Sequence, residues 1–217
     1  MKKFDINNFV KILKDTYPDA TCSLDFKTPF QMVVAVMLSA QCTDERVNKT
    51  TPALFERCKT IQDFADIELS ELEKIIHPCG FYKNKAKNIK LCAKQVLENF
   101  NGEVPQTMDE LQTLAGVGRK SANVIMLEAF GIANGIAVDT HAKRISNRLG
   151  LSSQTAPEKI EQDLLKIFPK EHLKDINHLF VWHGRKTCDS RKPRCKECTL
   201  KSYCKYYKST NKIELGK

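Results

Sequence analysis

Signals for the starts of α-helices recur along the chain and constrain its fold more than any other feature. Thr28 followed by Pro29 is typical of an N-cap with proline at the first helical position. Three Ser or Thr residues are followed three positions later by Glu, the spacing of a capping box: Ser70 with Glu73, Thr107 with Glu110, and Thr155 with Glu158. Residues 84–100 have clear amphipathic helical periodicity. We therefore predict an all-α protein of about ten short helices.

The longest apolar run, residues 32–38, could form a buried strand or a buried helix on periodicity alone. Its N-cap signal and the lack of partner strands favour the helix, and it is too short to span a bilayer. Polar residues interrupt any signal-peptide core near the start of the chain. Five of the nine cysteines are scattered singly, as in reduced cytosolic proteins. We expect a cytoplasmic, nucleoid-associated monomer without membrane contact.

Positive charge is concentrated near the C-terminus. The formal net charge is +9, and residues 185–208 hold nine Lys and Arg against Asp189 and Glu197. This leaves +7 in that segment and +2 elsewhere. A diffuse surplus would only aid solubility, whereas a concentrated one favours contact with a polyanion such as nucleic acid.

Two glycines flank Val117 at a predicted turn between two helices. Gly116 and Gly118 allow unusual backbone dihedrals and close approach to another surface. The N–H groups that start the second helix could then hold a phosphate. The alternative is an ordinary helix–turn–helix connection with a glycine C-cap, and these residues alone do not decide between the two.

Lys120 lies in the first turn of the predicted helix that follows. One stripe of this helix is apolar, and Val124 and Leu127 keep the opposite side apolar below the lysine. Apolar neighbours and the helix N-terminus both favour a neutral, nucleophilic amine, although most lysines are solvated surface residues. A nucleophilic role would also require desolvation or a nearby proton acceptor.

Asp139 is the candidate acceptor. It follows an apolar run and precedes a helical stretch, so it is also a strong candidate for an N-cap. The two roles are compatible, because a carboxylate held at a helix start is rigid enough to stabilise a positive charge.

Four cysteines near the C-terminus predict a metal site. Their spacing is Cys188-x6-Cys195-x2-Cys198-x5-Cys204. Structural zinc usually has two tight pairs, and here only one pair is tight. A [4Fe–4S] cluster also takes four thiolates, although this is not the ferredoxin spacing, so zinc and iron–sulfur both remain open on spacing alone.

Together these motifs resemble the endonuclease III family, DNA glycosylases with lyase activity in the helix-hairpin-helix superfamily. The family's L-P-G-V-G-x-K-[ST]-A hairpin matches residues 114–122, and its V-D-T-H element matches residues 138–141. Its C-x6-C-x2-C-x5-C cluster matches all four cysteines, and an L-S-A-Q-x-T-D element matches residues 38–44. The chain departs at Ala115, where the family usually has proline, and this change could loosen entry to the hairpin.

The resemblance implies two all-α lobes with a cleft between them, namely a helical barrel carrying the hairpin (residues 23–132) and an iron–sulfur cluster lobe (residues 1–22 and 133–217). It implies Lys120 as the nucleophile, Asp139 as its catalytic partner, and a structural [4Fe–4S] cluster. Gln41 and Phe81 match family positions that enter the DNA stack, although Phe81 could equally be a core aromatic. The other expected DNA contacts are Gly116, Val117, Gly118, Arg119, Arg191, Lys192 and Arg194.

The implied activity is the removal of oxidised pyrimidines from double-stranded DNA and β-elimination at abasic sites. One alternative is the adenine-mismatch glycosylase of the same superfamily, which typically lacks the lysine. Another is a non-enzymatic DNA-binding protein with structural zinc. The sequence does not rank the individual pyrimidine lesions.

Overall fold

The computed structural model describes residues 5–214, with side chains described to residue 210. Within that range all regular elements are helices, as predicted. The chain divides into two compact units, Met1–Thr21 with Ala133–Lys217, and Cys22–Ile132. These limits differ from the predicted ones only in the placement of Cys22.

The continuous unit is built around the helix predicted from the Thr28–Pro29 signal. Thr28 caps this helix by accepting a hydrogen bond from the Gln31 N–H at 3.2 Å, and every residue from Phe30 to Leu38 is buried. Its helices are α2 (Pro29–Ser39), α3 (Asp44–Arg57), α4 (Ile61–Asp66), α5 (Leu69–Ile76), a 3-10 helix (His77–Cys79), α6 (Tyr82–Asn99), α7 (Met108–Thr113) and α8 (Arg119–Phe130).

The discontinuous unit joins the start of the chain to its last third. Phe9 and Leu13 on the first helix are fully buried, and Phe9 packs against the rings of Phe168 and Phe180. The helices of this unit are α1 (Ile6–Thr16), α9 (Thr140–Leu149), α10 (Pro157–Ile167), α11 (Lys170–Lys186) and α12 (Lys205–Glu214).

The described residues thus contain twelve α-helices, where about ten were predicted. Of the three predicted capping boxes, only Thr107 caps its helix, accepting from the Glu110 N–H. The other two are wrong, since α5 begins after Glu68 and α10 after Ala156. No helix within residues 5–214 is both long and apolar enough to cross a bilayer.

Candidate nucleic-acid interface and cluster site

The glycine turn joins α7 to α8 as the sequence predicts. Gly116 has φ +77°, a left-handed conformation that glycine adopts without a Cβ clash. A Cβ at this position would lie 3.1 Å from Cβ of Asn88 on α6. Gly118 caps α8 with φ −94° and has open space around the position of a Cβ. The side chain of Val117 is buried, so the expected contact of this residue with DNA can involve only its backbone.

Ala115, the departure from the family motif, is held in place by α6. Its backbone N–H donates to Oε1 of Gln95 at 2.7 Å, and Nε2 of Gln95 donates to the Thr113 carbonyl at 3.2 Å. A proline at position 115 would have no N–H to satisfy. Gln95 therefore accepts the hydrogen bond that the Ala115 N–H donates, and it connects the turn to α6. The turn is thus held in place even though alanine replaces the usual proline.

Lys120 lies in the first turn of α8, as predicted, but its side chain is exposed. The amine therefore reaches solvent, although Asn123 and Leu127 on the same side of α8 are buried. Gly118 has no side chain to cap the first N–H groups of α8, and these groups favour an anion. The exposed end of α8 thus combines a primary amine with an anion-binding backbone.

Asp139 is the N-cap of α9, and its Oδ1 accepts a hydrogen bond from the Ala142 N–H at 2.7 Å. This confirms the predicted structural role. The carboxylate is half-buried and rigidly placed, with further acceptor positions beyond the cap bond. Lys120 and Asp139 belong to different compact units.

Gln41 and Phe81 share an uncommon backbone conformation. Their φ angles are +54° and +49°, and Asn101 is the one other non-glycine residue with positive φ in the described chain. Such conformations cost roughly 1–3 kcal/mol each and persist where the surrounding structure enforces them. Both side chains are exposed, Phe81 by 65%. The alternative that Phe81 is a core aromatic is therefore wrong.

The basic loop, residues 189–194, is ordered by hydrogen bonds at its base. Oδ1 of Asp189 accepts from the N–H groups of Arg191 (2.9 Å) and Lys192 (3.2 Å), and these bonds hold the pKa of that carboxyl below its usual range. The guanidinium of Arg148 donates to the carbonyls of Asp189 and Ser190 at 2.6 and 2.8 Å. The side chains of Arg191, Lys192 and Arg194 are exposed.

The four clustered cysteines line a single pocket, together with Arg148 and His183. Burial raises the pKa of the Cys198 thiol to about 11 and also raises that of Cys195, so a metal must displace protons from these groups. Among residues 5–214, no three His, Cys, Asp or Glu side chains converge as ligands of one metal ion. The four thiols instead line the wall of one pocket.

Two N–H groups are directed at the sulfurs of this pocket. The Arg148 guanidinium donates to Sγ of Cys188 at 3.3 Å, and the Tyr207 N–H donates to Sγ of Cys204 at 3.5 Å. Such donors stabilise thiolates and tune the clusters that they hold. The residues present therefore fit an iron–sulfur cluster.

His183 and Arg148 were not predicted to have a role at this pocket. His183 is buried, its Nδ1 lies 2.9 Å from Oη of Tyr17, and its Nε2 lies 3.8 Å from Sγ of Cys198. Burial lowers the pKa of His183 to about 4, so the ring is neutral at pH 7. A histidine five residues before the first cysteine was the available signal, but its spacing alone does not distinguish a ligand from a core residue.

Residues 34–170, more than half of the chain, match the HhH-GPD superfamily of base excision DNA repair proteins. Endonuclease III of a Synechocystis species is 51% identical over 203 residues, which are 94% of this chain and 93% of that protein. The chain belongs to the endonuclease III family. It is accordingly a DNA glycosylase and abasic-site lyase of base excision repair. The alternative of a non-enzymatic DNA-binding protein is thereby excluded.

Two solved structures of the family resemble the chain over almost its whole length. A non-covalent endonuclease III–DNA complex has a TM-score of 0.89 at 41% identity, covering 95% of this chain and 97% of that one. A trapped covalent endonuclease III–DNA intermediate also has a TM-score of 0.89, at 42% identity, covering 94% of this chain and 96% of that one. DNA is therefore the partner of this family member.

Proposed function

We propose that the protein removes oxidised pyrimidines from double-stranded DNA and cuts the strand at the resulting abasic site, with Lys120 as nucleophile. The observation that carries this proposal is the placement of an exposed primary amine in the first turn of α8, directly after the Gly116–Gly118 turn. The turn and the helix start suit a DNA phosphate, so the amine would be close to the sugar–phosphate backbone. A covalent intermediate has been trapped in a similar endonuclease III, which supports a protein nucleophile.

The lyase step requires an amine, because an amine that attacks C1′ can form a Schiff base and water cannot. Nζ of Lys120 attacks C1′ of the extruded nucleotide, and the bond between C1′ and the base breaks. Opening of the sugar leaves a Schiff base between Nζ and C1′. A base removes a proton from C2′, the electrons of that C–H bond pass into the imine, and β-elimination then breaks the C3′–O bond and releases the 3′ phosphate as the leaving group. Hydrolysis of the imine returns the free lysine.

Asp139 is proposed to accept a proton from the amine or to stabilise the positive charge that develops on the sugar. Its cap bond to the Ala142 N–H uses one acceptor position and fixes the carboxylate in one orientation. Because Lys120 is exposed, the proposal assigns activation of the amine to this carboxylate and not to desolvation.

We further propose that Cys188, Cys195, Cys198 and Cys204 hold a structural [4Fe–4S] cluster, which makes the discontinuous unit the cluster lobe and the continuous unit the barrel lobe. When bound, the cluster supplies stability to the segment and no step of the reaction. The shared pocket of the four thiols and the N–H groups directed at Cys188 and Cys204 support this assignment. Natively purified protein should contain about four irons per chain and little zinc. Purified protein that contains one tightly bound zinc and no sulfide would contradict the assignment of an iron–sulfur cluster.

The remaining contacts with DNA are proposed from exposure and charge. Gln41 and Phe81 would enter the stack as the damaged nucleotide leaves it, since both are exposed and conformationally fixed. Arg191, Lys192 and Arg194 would contact phosphates from the ordered basic loop. Arg119 at the start of α8 would do the same beside the Gly116–Gly118 turn.

The proposal is tested by trapping with borohydride on DNA that carries an oxidised pyrimidine. Reduction of the Schiff base during turnover should give a permanent protein–DNA crosslink in the wild type. Lys120→Ala should give no crosslink and no β-elimination, while Lys120→Ala protein still binds the duplex. Lys143→Ala is a matched control, since it removes an amine from the first turn of α9 and should leave trapping unchanged. Crosslinking by Lys120→Ala at the wild-type rate would mean that another amine is the nucleophile.

A further inference from the structure

Lys85 is a buried lysine for which the glycosylase and lyase chemistry has no use. It lies on the apolar stripe of α6 with Ile89 and Cys92, and only 7% of it is exposed. Lysine is almost never buried to this extent unless its amine has partners. Nζ donates to the Leu38 carbonyl at 2.8 Å and to the Cys79 carbonyl at 2.9 Å.

Both acceptors are carbonyls at the C-terminal ends of helices. Leu38 is in the last turn of α2, and the Cys42 N–H that would continue the helix bonds to the Ser39 carbonyl instead. Cys79 is the last residue of the 3-10 helix. Carbonyls at helix ends lack intrahelical partners, and a lysine donor satisfies them while complementing the helix dipole.

Each of these helix ends leads directly to an exposed residue with left-handed backbone, Gln41 in one segment and Phe81 in the other. Gln41 follows Leu38 by three positions, and Phe81 follows Cys79 by two. The backbone N–H of Lys85 also donates to the Phe81 carbonyl at 3.1 Å, which starts α6. One side chain therefore joins the two segments that present Gln41 and Phe81, although these segments are far apart along the chain.

We infer that Lys85 is a positioning residue, which fixes the spacing of Gln41 and Phe81 so that both enter the DNA stack together. This inference rests on the proposed role of those two residues in nucleotide extrusion. Lys85 acts through the backbone of the two segments and does not itself contact DNA, because it is buried beneath them.

The protonation state of Lys85 does not decide this role. Burial lowers the pKa of Lys85, and the adjacent thiols of Cys42 and Cys79 act in the opposite direction. A neutral amine retains two N–H donors, which is the number of carbonyls that it serves. The positioning should therefore persist across the neutral pH range.

Lys90 offers a matched control on the same helix. Its Nζ donates to the carbonyls of Ala65 and Ile67 at the end of α4, so it caps a helix end in the same way. No residue predicted to contact DNA lies in that segment. Loss of Lys90 should therefore affect folding without affecting extrusion.

The test uses a duplex with the fluorescent base aminopurine opposite a stable abasic analogue, and it also measures single-turnover removal of an oxidised pyrimidine. Lys85→Met should reduce both the fluorescence change on binding and the rate of base removal, the latter roughly tenfold to a hundredfold. Lys85→Gln, whose nitrogen is one bond closer to the backbone, should give a smaller loss and covers the case in which Lys85→Met does not fold. Lys90→Met should leave both signals unchanged.

A double-mutant comparison separates positioning from general damage to the fold. If Lys85 acts through the two exposed side chains, Lys85→Met should add little to the loss already present in Gln41→Ala/Phe81→Ala protein. A multiplicative further loss, or wild-type extrusion by folded Lys85→Met and Lys85→Gln, would overturn the inference. Normal extrusion by Gln41→Ala/Phe81→Ala protein would instead show that the proposed role of those residues is wrong, and the inference would fail with it.

Discussion

The side-chain oxygen of Gln95 accepts a hydrogen bond from the backbone N–H of Ala115 at 2.7 Å. The residue before Ala115 has an extended backbone, with φ −74° and ψ 136°, the conformation that favours a following proline. Proline should therefore be tolerated at position 115 but would remove the donor that Gln95 serves.

This relationship predicts a coupling between the two positions. Gln95→Ala should lower the free energy of unfolding by about 1 kcal/mol in the wild type, because the Ala115 N–H loses its partner. The same substitution should cost less in an Ala115→Pro background, where that N–H is absent. Urea unfolding of the four proteins measures the difference, and equal costs in both backgrounds would show that the hydrogen bond contributes nothing.

Gly118 should be replaceable without loss of stability but not without loss of DNA binding. Its φ of −94° is accessible to any residue, and a Cβ there meets no atom within 4 Å, so Gly118→Ala should unfold at the wild-type urea concentration. If the hairpin backbone closely approaches a phosphate, the added methyl group should weaken binding to all duplexes. Titration of a labelled abasic duplex measures this, and unchanged affinity would place the hairpin away from the DNA.

Asp139→Asn should separate the two activities of the enzyme. Asparagine keeps an oxygen that can cap α9, so the fold should be retained, but the negative charge is lost. Base removal should fall steeply, since it expels a base from a cationic sugar, whereas cleavage of a preformed abasic site starts from an aldehyde and should fall less. Single-turnover rates on the two substrates provide the comparison. Equal losses on both would assign Asp139 to a step that they share.

Lys192→Ala should weaken binding to every duplex sequence alike. Its side chain is exposed on the ordered basic loop, and loss of one phosphate contact reduces the salt slope of log K by about one. Lys159→Ala removes an exposed charge from α10 in the same unit and should leave the slope unchanged. If both variants behave alike, the loop charges are only a solvated surface.

Local signals predicted much of this fold, but they failed where another residue took over a cap. Thr28 and Thr107 start helices because their side chains reach the N–H groups ahead of them. Thr155 does not, because Pro157 starts α10 with its own fixed φ. A capping box does form between Thr60 and Asp63, with Asp at the position where this motif usually has Glu or Gln.

The residues that support the site could not be found from local pattern, because their partners are distant in sequence. Lys85 and Leu38 are 47 positions apart, and Arg148 and Cys188 are 40 apart. One signal did exist, since Lys85 falls in helical register with Ile89 and Cys92 on the apolar side of α6. A lysine on such a stripe is a candidate for a buried donor, although its acceptors remain unspecified until the chain is folded.

The discontinuity of the unit that joins α1 to the last third of the chain has a consequence during synthesis. Residues 22–132 are continuous and can fold as soon as they leave the ribosome, because domains generally fold as units. Phe9 and Leu13 on α1 can pack only after Phe180 and its neighbours on α11 have been synthesised, which at about 5–20 residues per second takes roughly 9–34 s. Until then the apolar face of α1 lacks its partners on α11 and is accessible to chaperones and proteases.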